Sequence, residues 1–325
     1  MTQIVVVTGA SAGIGRATAI EFARHGWRVG LIARGADGLA GARRDVEQAG
    51  GEAMILPVDV ADQKQVEAAA ARIEREWGPI AVWVNNAMAT VFCEALAVAP
   101  ADFRRATEVT YFGTVWGTLA ALTRMKPRDA GVIVQVGSAL AYRSIPLQAP
   151  YCGAKSAIRG FTDALRSELL HDRSGVRLTM VQLSAFNTPQ FDWGRTCWLR
   201  APKPLGKIFQ PEVAARGIYW AATHRRRELW VGWPAVLAII GTRLLPGLLD
   251  RKLAREAYEG QMSEQPLDGR RQDNLLLPMA GDHGAHGRFD RAARQWSAQL
   301  WLSMHKWQLS VLVVVLLLLA GMARY

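Results

Sequence analysis

The chain has 325 residues, 50% of them hydrophobic, and 39 Lys and Arg against 28 Asp and Glu give a formal net charge of +11. That is enough apolar material for one large core, which excludes a disordered or low-complexity chain. The basic residues are spread along the sequence with no recognition helix or zinc pattern, so the charge points to an anionic small molecule or an anionic membrane surface and away from nucleic acid.

The first apolar run, Ile4-Val-Val-Val7, leads at once into Thr8-Gly-Ala-Ser-Ala-Gly-Ile-Gly15 and then a helix-like stretch from Arg16 to His25. Strand, glycine turn and helix in this order are the context in which such a loop binds a pyrophosphate. Gly9, Gly13 and Gly15 let the backbone turn sharply and approach the phosphates, whose charge is favoured by the free amides and dipole of a helix N-terminus. No signal peptide is expected ahead of a strand that begins so close to Met1. The next strand, near 28–33, ends at Arg34, where NAD-selective proteins usually offer a carboxylate to the ribose 2′-hydroxyl. With Arg16 just past the loop, two guanidinium groups could meet a 2′-phosphate, so NADP is expected over NAD. Asp37 is the nearby carboxylate that would serve NAD.

Further strands are expected near 53–57, 80–85, 131–136, 176–183 and 228–231, with helices between them. Together with the strands near 3–8 and 28–33 they form one doubly wound α/β domain with a seven-stranded parallel sheet. Ser138 follows the apolar run Val132-Ile-Val-Gln-Val-Gly137, at the strand end where ligands of an open α/β sheet sit. Thirteen residues later comes Tyr151-Cys-Gly-Ala-Lys155. On a helix, positions four apart share a face, so Lys155 stands beside Tyr151. A phenol with a pKa of about 10 is a poor base near neutrality, and an adjacent ammonium favours its phenolate. Tyr151 could then exchange a proton with a substrate hydroxyl or carbonyl, and Ser138 could hydrogen-bond the same oxygen.

These segments, with Asp59-Val60 and Asn85-Asn86-Ala87, resemble the simple, non-extended branch of the short-chain dehydrogenase/reductase family over about residues 3–232. The resemblance implies a Rossmann fold and a catalytic set of Ser138, Tyr151 and Lys155. It also implies cofactor contacts from Thr8, Gly9, Ser11, Gly13, Ile14, Gly15, Val60, Ala87, Tyr151 and Lys155. Asp59 would lie near the adenine, Asn86 would support the cofactor side of the sheet, and Thr188 of Asn187-Thr-Pro189 would contact the carboxamide or phosphate region. The usual Pro-Gly of that turn is replaced by Ser184-Ala185. Met88 stands where the family commonly has glycine, and Thr110 stands where a helix asparagine completes the proton relay. The Thr110 hydroxyl could still hold a relay water.

Cys93, Cys152 and Cys197 have neither paired spacing nor a secretory context, so no disulfide is expected and the chain fits a reducing compartment. Cys152 is read as a packing residue. His283 and His286, in Gly281-Asp-His-Gly-Ala-His-Gly287, lack an obvious third ligand, and no metal is expected.

The domain is expected to end near residue 259, with a linker over 260–295 and a C-terminal apolar anchor helix over 296–325. Residues 309–323 carry no charge. A span needs about 20 apolar residues, so Trp307 and Tyr325 would sit in the interfaces of a bilayer contacted through 307–325. Arg288, Arg291, Arg294 and Lys306 precede the segment, which keeps the catalytic domain cytoplasmic by the positive-inside rule. A second apolar stretch, 229–249, supplies the last strand and then could line a substrate entrance, dip into the headgroup layer, or lie in a homodimer interface. The expected activity is NADP-dependent interconversion of an alcohol and a carbonyl on an apolar substrate, with contacts from 88–100, 139–149 and 186–210. Met88 and Thr110 also fit an alternative, a membrane-bound NADP-binding scaffold or redox-sensing interaction protein with little turnover.

Overall fold

A computed structural model describes residues 2–268, 271–306 and 308. Strands β1 (Ile4–Thr8), β2 (Arg28–Ala33), β3 (Glu52–Pro57) and β4 (Val82–Asn85) alternate with helices α1 (Gly13–Arg24), α2 (Ala36–Gln48) and α3 (Gln63–Trp77). The Asp62 carboxylate caps α3 by accepting from the Lys64 and Gln65 amides. After the short β5 (Val91–Phe92), α4 (Pro100–Thr107) and α5 (Gly113–Met125) are joined through one wide turn over 108–112. Then follow β6 (Val132–Ser138), α6 (Ala149–His171) and β7 (Arg177–Leu183).

The next segment holds the short elements β8 (Ala185–Phe186), α7 (Gln190–Trp193), β9 (Arg195–Thr196), β10 (Arg200–Pro202) and β11 (Ile208–Phe209). The domain continues through α8 (Pro211–Thr223), β12 (Glu228–Val231), α9 (Trp233–Leu244), α10 (Pro246–Gly260), β13 (Met262–Pro266) and α11 (Ala298–Met304).

The main sheet has seven parallel strands in the order β12-β7-β6-β4-β1-β2-β3. Strands β1 and β6 are buried throughout because helices cover both faces, which is why they read as near-continuous Val and Ile. One apolar layer gathers Val5, Phe22, Leu31 and Ile218, and the other gathers Val6, Ile73, Trp83 and Ile133. Chain direction along the sheet reverses at β1 and β4, and the crevice at their C-terminal ends is where ligands of such sheets bind. Beneath it, Asn85 Nδ2 donates to Thr118 Oγ1 and Gln135 Oε1 at 3.0 Å, while Trp83 Nε1 donates to Asn85 Oδ1 at 2.8 Å. This satisfied polar knot ties α5 to β4 and β6.

Three expectations need correction. Residues 260–295 are not a free linker: β13 pairs antiparallel with β10, Leu275 is wholly buried, and Asp273 pairs with Arg195 at 3.0 Å. Their polar side chains find partners on the domain, which composition alone could not reveal. Residues 297–304 likewise belong to the domain, because Leu300 is buried in the core and Gln299 Oε1 accepts from the Gly232 amide at 2.7 Å. No helix among the described residues is long and apolar enough to cross a membrane, and the apolar stretch 309–323 lies outside the described residues.

The third correction concerns the cysteines. Cys93 and Cys197 form a disulfide although 104 residues separate them. The parallel pairing of β5 with β9 sets the two residues side by side, a contact that sequence spacing does not encode. Cys152 is a buried free thiol. Without reductant, a digest should therefore contain a cross-linked Cys93–Cys197 peptide. Cys197→Ser should lower the unfolding free energy by about 2–4 kcal/mol in urea titration. Alkylation of all three thiols in the unreduced, unfolded chain would contradict the pairing.

Candidate active site

The glycine loop is held by a staple between β1 and β4. Thr8 Oγ1 accepts from the amides of Asn86 and Ala87 at 2.9 and 3.0 Å and donates to the Val84 carbonyl at 3.3 Å. Asn86 Nδ2 donates back to the Thr8 carbonyl at 2.9 Å. Gly9 takes φ of +67°, a conformation that glycine adopts without strain. At Gly15 a side chain is excluded outright, since a Cβ would lie 2.1 Å from the Gly9 carbonyl oxygen. The loop delivers the chain to α1, whose N-terminus has no side-chain cap.

A cavity of about 530 Å³ runs from this loop to the ends of β6 and β7. Of the residues expected to form the site, Gly9, Ser11, Gly13, Ile14, Arg34, Asp59, Val60, Asn86, Ala87, Ser138, Tyr151, Lys155 and Thr188 all line it. Thr8 and Gly15 stand behind the wall as builders of the loop. An uncapped helix N-terminus offers amides to a pyrophosphate. The Ser184 hydroxyl, also in the wall, is buried without a partner among the described residues. These features fit a dinucleotide, with its phosphates at the glycine loop and Ile14, beside a Gly13 amide that bonds the Gly284 carbonyl, and its reactive end toward Tyr151.

Two expected residues play other parts. Arg16 is turned away from the cavity: its Nε donates to Asp45 at 2.7 Å, its terminal nitrogens bond Asp282, and the side chain is 5% exposed. It has no guanidinium face left for a 2′-phosphate. Thr110 is wholly buried, and its Oγ1 accepts from the Ala89 amide and donates to the Ala89 carbonyl, both at 3.0 Å. That spends its one proton and one of its two lone pairs on a backbone clamp beneath the Met88 loop.

Ser138 stands at the end of β6, and its Oγ accepts from the Leu140 amide at 3.1 Å. Tyr151 and Lys155 occupy the first turns of α6. Lys155 is buried, its Nζ donates to the Val136 carbonyl at 2.6 Å, and it lies 5.7 Å from the Tyr151 ring centroid. Burial lowers this ammonium to about 8. Burial also raises the Tyr151 phenol well above its ordinary value, against a smaller downward pull from its hydrogen bond with Ser138. The expected lowering of Tyr151 by Lys155 is therefore corrected. Desolvation outweighs an ammonium that is itself poorly solvated and directed at a backbone carbonyl. A phenol raised by burial is a group able to give a proton to an oxygen placed between it and Ser138.

Toward the substrate end the cavity wall is apolar, with Leu140, Phe186, Phe191, Leu205, Leu237 and Leu253. Leu140, Phe186, Phe191 and Leu205 fall in the expected contact ranges, and Leu237 comes from the apolar stretch read as a substrate entrance. Sequence reasoning missed the opposite wall. Asn274, Pro278, Met279, Gly281 and His283, all in the supposed linker, close the cofactor end. The only signal was Leu275-Leu276-Leu277-Pro278, an apolar patch within a polar stretch.

The short chain dehydrogenase family model matches residues 3–193. The "Uncharacterized oxidoreductase YxnA" of Bacillus subtilis is 31% identical over 284 residues, covering 86% of this chain and 80% of that one. The 17-beta-hydroxysteroid dehydrogenase 13 of Mus musculus is 29% identical, covering 86% and 85%. Among solved structures, a short-chain dehydrogenase from Streptomyces avermitilis superposes with TM-score 0.65 at 24% identity over 79% of this chain and 97% of its own. A metagenomic short-chain oxidoreductase in complex with NADP gives 0.60 at 25% identity over 70% and 96%. The family model covers more than half of the chain, the sheet order is that of a Rossmann-like fold, and the chain belongs to the short-chain dehydrogenase family as an oxidoreductase enzyme.

Proposed function

We propose that this enzyme reduces the carbonyl group of an apolar substrate with NADPH at a lipid surface. The observation that carries this reading is Tyr151 beside Ser138 at the apolar end of a cavity whose other end fits a dinucleotide. When bound, the nicotinamide supplies the hydride. Ser138 and Tyr151 hold the substrate oxygen, and the Tyr151 O–H gives it the proton as negative charge develops. The Lys155 ammonium adds positive charge behind Tyr151.

Preference for NADPH rests on the charge of Arg34 in the cavity wall at the end of β2, which attracts a 2′-phosphate although its terminal nitrogens bond the Asn274, Leu275 and Leu276 carbonyls. The metagenomic relative in complex with NADP is consistent with that choice. Preference for an apolar carbonyl or alcohol rests on the leucine and phenylalanine wall, and the hydroxysteroid dehydrogenase named above agrees with it. The lipid surface is proposed from the α9–α10 hairpin. Leu244, Leu245 and Leu248 are 57–70% exposed at its turn, beside Arg243, while Leu237 and Leu249 reach the cavity. An apolar knuckle flanked by cations fits a membrane headgroup boundary. Residues 307–325 would anchor the chain with the catalytic domain on the cytoplasmic side.

Three measurements test these assignments. Tyr151→Phe should lower kcat for NADPH-dependent reduction of apolar ketones by about 10²- to 10⁴-fold with little change in NADPH affinity; full turnover without the phenol would remove its acid role. Lys155→Met should also impair turnover while raising Tm at pH 7 by roughly 2–4 °C, since a buried charge is removed. Lys155 is lowered in the folded chain, so its burial cost is full below about pH 8 and fades as pH rises toward the unfolded value. The Tm gain should shrink accordingly between pH 8 and pH 10. Leu244→Asp with Leu248→Asp should raise KM for a vesicle-borne ketone about tenfold and leave a water-soluble ketone unaffected; equal effects on both would argue against docking on lipid.

A further inference from the structure

Residues 271–290 cross the cofactor end of the cavity as a strap. At one side, the carbonyls of Asn274, Leu275 and Leu276 all accept from Arg34, and Leu275 is buried in the core. At the other, the Asn187 side chain donates to Asp290 at 2.8 Å and accepts from the Phe289 amide at 2.9 Å. Between these fixed ends the strap passes over the glycine loop. There it is held by the Asp282 carboxylate on Arg16 and by the Gly284 carbonyl, which accepts from the Gly13 amide at 3.1 Å. Its inner side, at Pro278, Met279, Gly281 and His283, forms one wall of the cavity, opposite Gly9, Ser11 and Ile14.

We propose that this strap encloses the bound dinucleotide and must unlatch for each exchange of cofactor, with Asp282 on Arg16 as the latch. An open crevice at the strand ends admits a dinucleotide from the side, but here that side is walled. The ends are pinned to the core and to Asn187, whereas no residue from 276 to 290 is buried and the middle is held by exchangeable polar contacts, with Asp282 on Arg16 and Arg44, the Gly281 amide on Asp37 and the Gly284 carbonyl on Gly13, so the middle is the part that can lift. Arg16 explains itself in the same way: buried against α2 by Asp45, it presents its remaining nitrogens to the strap.

The inference rests on the dinucleotide reading of the cavity and is tested independently of substrate turnover. Gly41, in α2, faces the latch: a Cβ there would fall 2.0 Å from Asp282 Oδ2. Gly41→Ala therefore pushes the carboxylate off Arg16, while Ala, the better helix former, keeps α2 intact. Stopped-flow fluorescence of NADPH binding, and of its chase with excess NADP, should show association and dissociation both at least about fivefold faster in Gly41→Ala. Its Tm should be equal to or above that of the unaltered protein, and Asp282→Asn should change the rates in the same direction. NADPH binding with unchanged rates in both variants would overturn the strap alone. So would faster association with unchanged dissociation, because a segment that merely competes with the cofactor does not retain it. No NADPH or NADH binding by the unaltered protein would remove the dinucleotide reading and the strap with it.

Discussion

The hydroxyl of Thr8 is the point on which the site depends. It accepts two amides from the end of β4 and donates to the carbonyl of Val84, so β1 and β4 end in register where the direction of the sheet reverses. From that fixed point the glycine loop turns toward α1, and Asn86 closes the other side by bonding the Thr8 carbonyl. A buried backbone amide left unpaired costs about 1–3 kcal/mol. The loop is held at both ends: the Ala10 amide bonds the Ile32 carbonyl, and the Gly13 amide at the start of α1 bonds the Gly284 carbonyl.

Electrostatics at the catalytic end follow from burial more than from pairing. Tyr151 and Lys155 share a helix face, yet the ammonium is aimed at the Val136 carbonyl and both groups are moved toward their neutral forms by desolvation. A neutral phenol is poised to donate a proton, and a weakly held lysine charge is the complementary cost. The site retains that cost where a purely structural helix would place an apolar residue.

The central strands were legible because they are buried on both faces and therefore read as runs of Val and Ile, whereas the edge strands β3 and β12 bury only alternate residues. The dinucleotide loop and the Ser138, Tyr151 and Lys155 positions were legible because their chemistry needs fixed local spacing. What could not be read is contact between distant polar segments. Arg16 sits where a phosphate ligand would stand, but its direction is decided by Asp45 and Asp282, and Asp282 lies in a stretch with no periodicity. Thr110 looks like a relay residue until Ala89 is seen to take its one proton and one of its two lone pairs. Cys93 and Cys197 meet only because β5 and β9 pair.

The two ends of the cavity are walled by different materials, and this bears on how the enzyme would be supplied. The dinucleotide end is covered by a strap held through carbonyls, a carboxylate and guanidinium groups, all of which exchange readily with water. The substrate end is bounded by α9 and α10, whose leucines line the cavity on one side and are exposed on the other. Exposed leucines beside a cavity gain by transfer into an apolar phase; the strap carries two as well, Leu276 and Leu277, but its crossing over the glycine loop, 280–287, is polar or small throughout and does not. With the hairpin in lipid and the strap in water, each reactant would enter from the phase in which it dissolves. Tyr151, between the two ends, would meet its ketone without the hydride donor ever leaving the aqueous side.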